Sequence, residues 1–62
     1  MQTVIEVRPH GAFWKVFEAP GVEPIFPDKE KAMLHATGLS GSRPGEIRVF
    51  DANGEMEKVI PF

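Results

Sequence analysis

A chain of 62 residues that contains no cysteine has few ways to hold itself together. Domains of this size bury only about 60% of the surface that their unfolded chain exposes, so their stability is a few kcal/mol at best. The usual reinforcements are disulfides, a bound metal or a partner subunit. The missing thiols remove the first and the thiolate form of the second, and they leave the redox compartment unmarked. Association with another chain becomes the reinforcement to look for. The expected organisation is one small domain over residues 1–62.

Composition narrows the function classes. A hydrophobic share of 42% beside 26% charged residues suits a folded domain and is wrong for a disordered one. The net charge is −2 and the isoelectric point about 5.6. Nucleic-acid binding usually leaves a basic footprint, because counterion release from phosphates supplies much of the affinity. None is present globally, which puts that function at a disadvantage. The longest apolar runs are a few residues, too short to span a bilayer. The segment Met1-Gln2-Thr3-Val4-Ile5-Glu6 lacks the basic and apolar regions of a signal peptide, so a cytoplasmic location is the expectation.

Hydrophobic alternation and chain breakers predict the elements. Residues 3–7 alternate as a strand, Thr3, Ile5 and Val7 on one side and Val4 and Glu6 on the other. Pro9-His10-Gly11 breaks that run, and Phe13-Trp14-Lys15-Val16-Phe17 returns as a second strand to close a hairpin. Residues 19–27 hold three prolines and a glycine and read as a stiff loop. Asp28 is a candidate N-cap for a short helix over 29–37, with Glu30 in its first turn and Gly38 as a left-handed stop. Ala32, Met33 and Ala36 share a face that Leu39 continues, and two alanines there would let the helix lie close against a sheet. Residues 40–45 read as a mobile loop, 46–50 as a third strand and 55–60 as a fourth. Asp51-Ala52-Asn53-Gly54 between these strands is the strongest local signal of all, a tight turn with glycine free to adopt positive φ.

Two registers are open for that second hairpin. A three-residue loop with a glycine bulge pairs Ile47 with Val59 and Phe50 with Met56. A two-residue Asn-Gly turn pairs Ile47 with Ile60 and Val49 with Lys58. The first is preferred because it sets apolar beside apolar twice, although it also places Arg48 opposite Lys58.

Taken in order, Val7-Arg8-Pro9, Gly11 with Trp14-Lys15-Val16, the run Phe26-Pro27-Asp28-Lys29-Glu30-Lys31-Ala32 and residues 46–56 with their Asp-x-Asn-Gly turn cover most of the chain. In that order and spacing the chain resembles an uncharacterised family of small bacterial domains of unknown function with a YegP-like β-β-α-β-β fold. The resemblance implies the fold and carries no activity, so no catalytic residue transfers. Both readings converge on an α+β fold: a four-stranded antiparallel sheet with one short helix packed on one face.

The residues for catalysis and cofactor binding are poorly arranged. His10 and His35 lack the spacing or the cysteine partners of a zinc site and read as a loop and a helix-surface imidazole. Aligning Gly54 with the glycine of a calcium loop would place Val49 and Ile60 at ligand positions, where neither offers side-chain oxygen. Gly38, Gly41 and Gly45 sit between helix and strand, the reverse of a phosphate loop, and no lysine follows at the needed spacing. Ser40 and Ser42 fall in a loop without a nucleophile elbow. The carboxylate pairs Glu55/Glu57 and Asp28/Glu30 read as solvated charge. The expectation is a protein that is not an enzyme, with no catalytic residue, no metal and no cofactor.

One surface stands out. If Ile5, Val7, Trp14, Val16, Ile47, Val49 and Val59 face the helix, they form the core with Ala32, Met33, Ala36 and Phe26. Val4, Glu6, Phe13, Lys15, Phe17, Arg48, Phe50, Met56, Lys58 and Ile60 then occupy the opposite face. A solvated face should be polar, yet this one carries three phenylalanines. Three outcomes compete: loops or Phe62 fold over the face; the face or a strand edge takes another protein or a second copy; or the face stacks single-stranded nucleic acid. Phe13, Lys15, Phe17, Arg48 and Phe50 are the candidate interaction residues. The leading expectation is a protein-interaction or self-associating module, with a homodimer or a protein partner as the assembly to test. The alternative is single-stranded nucleic-acid binding, with the phenylalanines under bases and Lys15, Arg48 and Lys58 on phosphates.

Overall fold

A computed structural model gives the architecture, described for residues 3–39 and 44–62. The serines Ser40 and Ser42 and most of the loop expected over 40–45 lie outside the described residues. Along the chain run β1 (Thr3–His10), β2 (Phe13–Phe17), β3 (Ile25–Phe26), α1 (Lys29–Gly38), β4 (Gly45–Phe50) and β5 (Met56–Pro61). They build one sheet in the order β3-β2-β1-β4-β5, with α1 packed on the β1, β2 and β3 side of one face.

The α+β class and the single helix agree with the sequence. The sheet differs: it has five strands and is mixed, because β1 and β4 pair in parallel. The cause is the short strand β3 in the segment read as a loop. Ile25 and Phe26 pair antiparallel with Lys15 and Trp14, which reverses the chain once more before the helix. The helix then connects two parallel strands, β3 and β4, as a crossover must, and β4 arrives parallel to β1.

Strand β1 also continues through Pro9, where a break was expected. The Val16 N–H bonds outward to Pro24 O at 3.0 Å, so Val7–Val16 is a non-hydrogen-bonded pair, and by alternation so is Pro9–Trp14. The Pro9 nitrogen therefore points away from β2, at a level beyond the last β1–β4 pair, Val7–Val49. The β1–β4 ladder ends there, since Pro9 has no N–H to extend it. Gly11 and Ala12 close the hairpin, with positive φ at Gly11 alone, the pattern of a type II′ turn.

Asp28 caps the helix as expected, its backbone extended and its carboxylate accepting from the Lys31 N–H at 2.8 Å. Gly38 does not act as a left-handed stop: it lies inside α1 and has no positive φ. Instead the last turn tightens, with the Leu39 N–H returning to Ala36 O at 3.1 Å, so no left-handed residue is required. Replacing Asp28 with alanine should cost about 1 kcal/mol, read as a lower urea midpoint at unchanged slope.

Ile5, Val7, Val16, Ile47 and Val49 from the sheet and Ala32 and Ala36 from the helix are fully buried. Trp14, Phe26, Met33, Leu39, Ile60 and Phe62 pack around them. The Lys29 ammonium closes one end of this layer, 5.1 Å from the Trp14 ring centroid and 3.0 Å from Glu57 Oε1.

Val59 departs from the expected core: it is exposed, while Ile60 takes the core-facing place. The reason is a compromise between the two registers. At the turn the three-residue loop holds: Asp51 N–H donates to Glu55 O at 2.8 Å, Asp51 Oδ1 accepts from Asn53 and Glu55, and Gly54 sits at positive φ. Phe50 accordingly opposes Met56. At the other end Gly45 and Phe62 exchange two backbone hydrogen bonds, 3.0 and 2.9 Å, which sets Ile47 opposite Ile60 and Val49 opposite Lys58. The two registers differ by one residue, and a bulge at Glu57 absorbs it. This also removes the Arg48–Lys58 opposition and carries Lys58 and Ile60 off the face to which the sequence assigned them.

Candidate functional site

The face opposite the helix is the candidate site. Residues on alternate positions of β2 and β4 place Phe13, Lys15, Phe17, Arg48 and Phe50 together on it, opposite the buried Val16 and Val49. Glu6 and Arg8 of β1 stand between them, since Glu6 is paired with both Phe17 and Arg48, and Arg8 with Lys15. Ile25 joins at one side beside Lys15, and Met56 and Val59 at the other beside Phe50 and Arg48. Phe62 lies on the core side over Gly45 and covers none of this surface.

The face is apolar at its borders and ionic through its middle. Phe13 and Met56 are each 51% exposed, Ile25 46% and Val59 44%. Between these borders each cation has its own carboxylate: Arg8 Nη1 to Glu6 Oε1 at 3.1 Å, Lys15 Nζ to Glu23 Oε1 at 3.0 Å, and Arg48 Nε to Glu46 Oε2. The hydrogen bond from Lys15 holds the Glu23 carboxyl below its ordinary pKa. The Arg8 guanidinium also sits 4.7 Å over the Phe50 ring. Among the described residues of this face, carboxylates and cations are thus matched one to one.

Of these residues, sequence reading missed Arg8, Ile25 and Val59. Arg8 was hidden by the strand break assumed at Pro9, Ile25 by the proline-rich setting of β3, and Val59 by the bulge. The Glu6-x-Arg8 and Glu46-x-Arg48 repeats were the available signal, because alternation puts both members of each on one face.

Both sheet edges are guarded against strand addition. Strand β3 is two residues long and lies between Pro24 and Pro27. Strand β5 carries the Glu57 bulge and Lys58, and its Pro61 faces outward: Gly45–Phe62 is a hydrogen-bonded pair, so Glu46–Pro61 is not. These are the devices by which sheets prevent edge pairing.

Apart from this face, a concavity of about 250 Å³ lies at the end of the helix–sheet layer, lined by Thr3, Ile5, Glu18, Ala19, Val22 and Leu39. Its carboxylate, Glu18, meets His35 Nε2 at 3.2 Å, and the His35 ring packs against Phe26 with centroids 5.0 Å apart. His35 is therefore a helix-surface imidazole, as the sequence predicted, that is also packed against a ring and partnered by a carboxylate. Among the described residues no group of three or more His, Cys, Asp or Glu is placed to hold a metal ion, and no helix is long and apolar enough to cross a membrane. Neither a family model, nor a curated protein, nor a solved structure matches the chain.

Proposed function

We propose that this chain is a non-enzymatic association module whose open sheet face docks against another protein surface, that of a second copy of itself. The observation that carries this reading is the one-to-one pairing of charge inside an apolar border. A surface of balanced sign is complementary to itself, and a small cysteine-free fold gains from covering it. The guarded edges direct association to the face and away from strand addition. Stacking of single-stranded nucleic acid is disfavoured by the same pairing. Lys15 and Arg48, the cations assigned to phosphates on this face, would have to leave Glu23 and Glu46, and the carboxylates left behind would repel the strand.

Sedimentation velocity over a concentration series tests the proposal. The wild-type chain should shift from monomer to dimer as concentration rises. Met56→Glu and Phe13→Glu, at half-exposed positions that leave the core untouched, should remain monomeric with an unchanged circular dichroism spectrum. A wild type that stays monomeric at millimolar concentration and binds short single-stranded oligonucleotides at low salt would favour the nucleic-acid reading instead.

A further inference from the structure

The register of the face carries more than its charge balance. At the level of Arg8 across the sheet stand Ile25, Lys15, Phe50 and Met56. One step along the strands, at the level of Glu6, stand Phe17, Arg48 and Val59. The two levels are complementary strand by strand: cation to carboxylate on β1, aromatic ring to guanidinium on β4, apolar to apolar on β5, and ammonium to aromatic ring on β2. We infer that two copies pack face to face about a two-fold axis that lies in the face, runs across the strands and passes between the Arg8 and Glu6 levels. This rests on the proposed association through the open face and specifies its geometry.

Such an axis lays each strand against the same strand of the second copy, running oppositely, as aligned sheets about 10 Å apart allow. Arg8 then meets Glu6 of the second copy and Glu6 meets its Arg8. Phe50 lies over the second copy's Arg48, Lys15 over its Phe17, and Met56 packs on its Val59. Each Arg8 guanidinium, already against Glu6 and Phe50 in its own chain, gains a second carboxylate. An axis running along β1 fails on the same map, because it sets Arg8 on Arg8 and Glu6 on Glu6 at the centre of the interface.

Charge reversal on β1 tests the arrangement. Glu6→Arg alone sets like charge against Arg8 of the second copy, and Arg8→Glu alone does the same against Glu6. Each should associate at least about a hundredfold more weakly than wild type. An equimolar mixture of the two variants should form a heterodimer, and the double variant Glu6→Arg/Arg8→Glu should self-associate again, which also shows that reversal at these positions outside the core leaves folding intact. Because the chain has no cysteine, the axis can be read by cross-linking. Met56→Cys mixed with Val59→Cys should join through a short bismaleimide, and Met56→Cys mixed with Ile25→Cys should not. If both single reversals dimerise like wild type while Met56→Glu does not, the register is wrong and the face remains the interface. If cross-linking favours the Ile25 pairing, the axis runs along the strands and this geometry is overturned. A monomeric wild type overturns the geometry and the association reading together.

Discussion

Gly45→Val should leave the chain largely unfolded at room temperature. A Cβ at this position would overlap the Thr3 carbonyl oxygen and stand 2.7 Å from Phe62 Cζ. The backbone contact cannot give way cheaply, because Thr3 and Gly45 are partners in the parallel β1–β4 ladder and the Thr3 N–H donates to Pro44 O at 3.2 Å. The Phe62 ring, which packs against the core, would have to turn out of its place as well. Overpacking of this kind typically costs about 1–3 kcal/mol, and strain against backbone adds to it. In a fold held by a few kcal/mol that is enough to remove the native state. The readout is the loss of the thermal transition in circular dichroism. Gly45→Ala should keep a transition at clearly reduced temperature.

Ile47→Ala should cost about 2–5 kcal/mol, seen as a collapse of the urea midpoint, because it empties the middle of the core. Ile47 is the largest fully buried side chain, next to Ile60 across the β4–β5 ladder and Ile5 across the β1–β4 ladder. The matched control is Val59→Ala, at a position exposed in the single chain, which should change stability by less than about 0.5 kcal/mol when measured at dilution, where the chain is monomeric. The pair tests the Glu57 bulge as well. Without the bulge Val59 would occupy the core site opposite Ile47, and its truncation would be costly too.

What the sequence revealed and what it concealed divide along physical lines. Alternation in β1, β2 and β4 was enough to identify nearly the whole core and to put Phe13, Lys15, Phe17, Arg48 and Phe50 on one face. The cap at Asp28 and the turn at Asp51 were legible because each is a local hydrogen-bonding device. Strand β3 was not, because two residues between prolines form no pattern and become a strand only by pairing with Trp14 and Lys15. That one strand reverses the chain, so missing it turned a mixed sheet into an antiparallel one. The tail of β5 was ambiguous for a different reason. Val59 and Ile60 are both good strand residues, and the choice between them is made far away, where Phe62 meets Gly45. The ion pairs of the site were hidden in part for the same reason as β3: Glu23 reaches Lys15 only because the segment before β3 folds back along β2.

The proposed association would also explain how a chain without cross-links could persist. The helix packs on one side of the sheet, and a second copy would cover the other with surface whose charges are already neutralised in place, so that little desolvated charge would be left unpaired. The most direct measurement is an isotope-filtered nuclear Overhauser experiment on an equimolar mixture of labelled and unlabelled wild-type chain. Contacts between copies from the Met56 methyl to the Val59 methyls are predicted, with chemical shifts of Phe13, Phe50 and Met56 moving on dilution. Dilution-independent shifts on this face with no contact between copies would contradict the account.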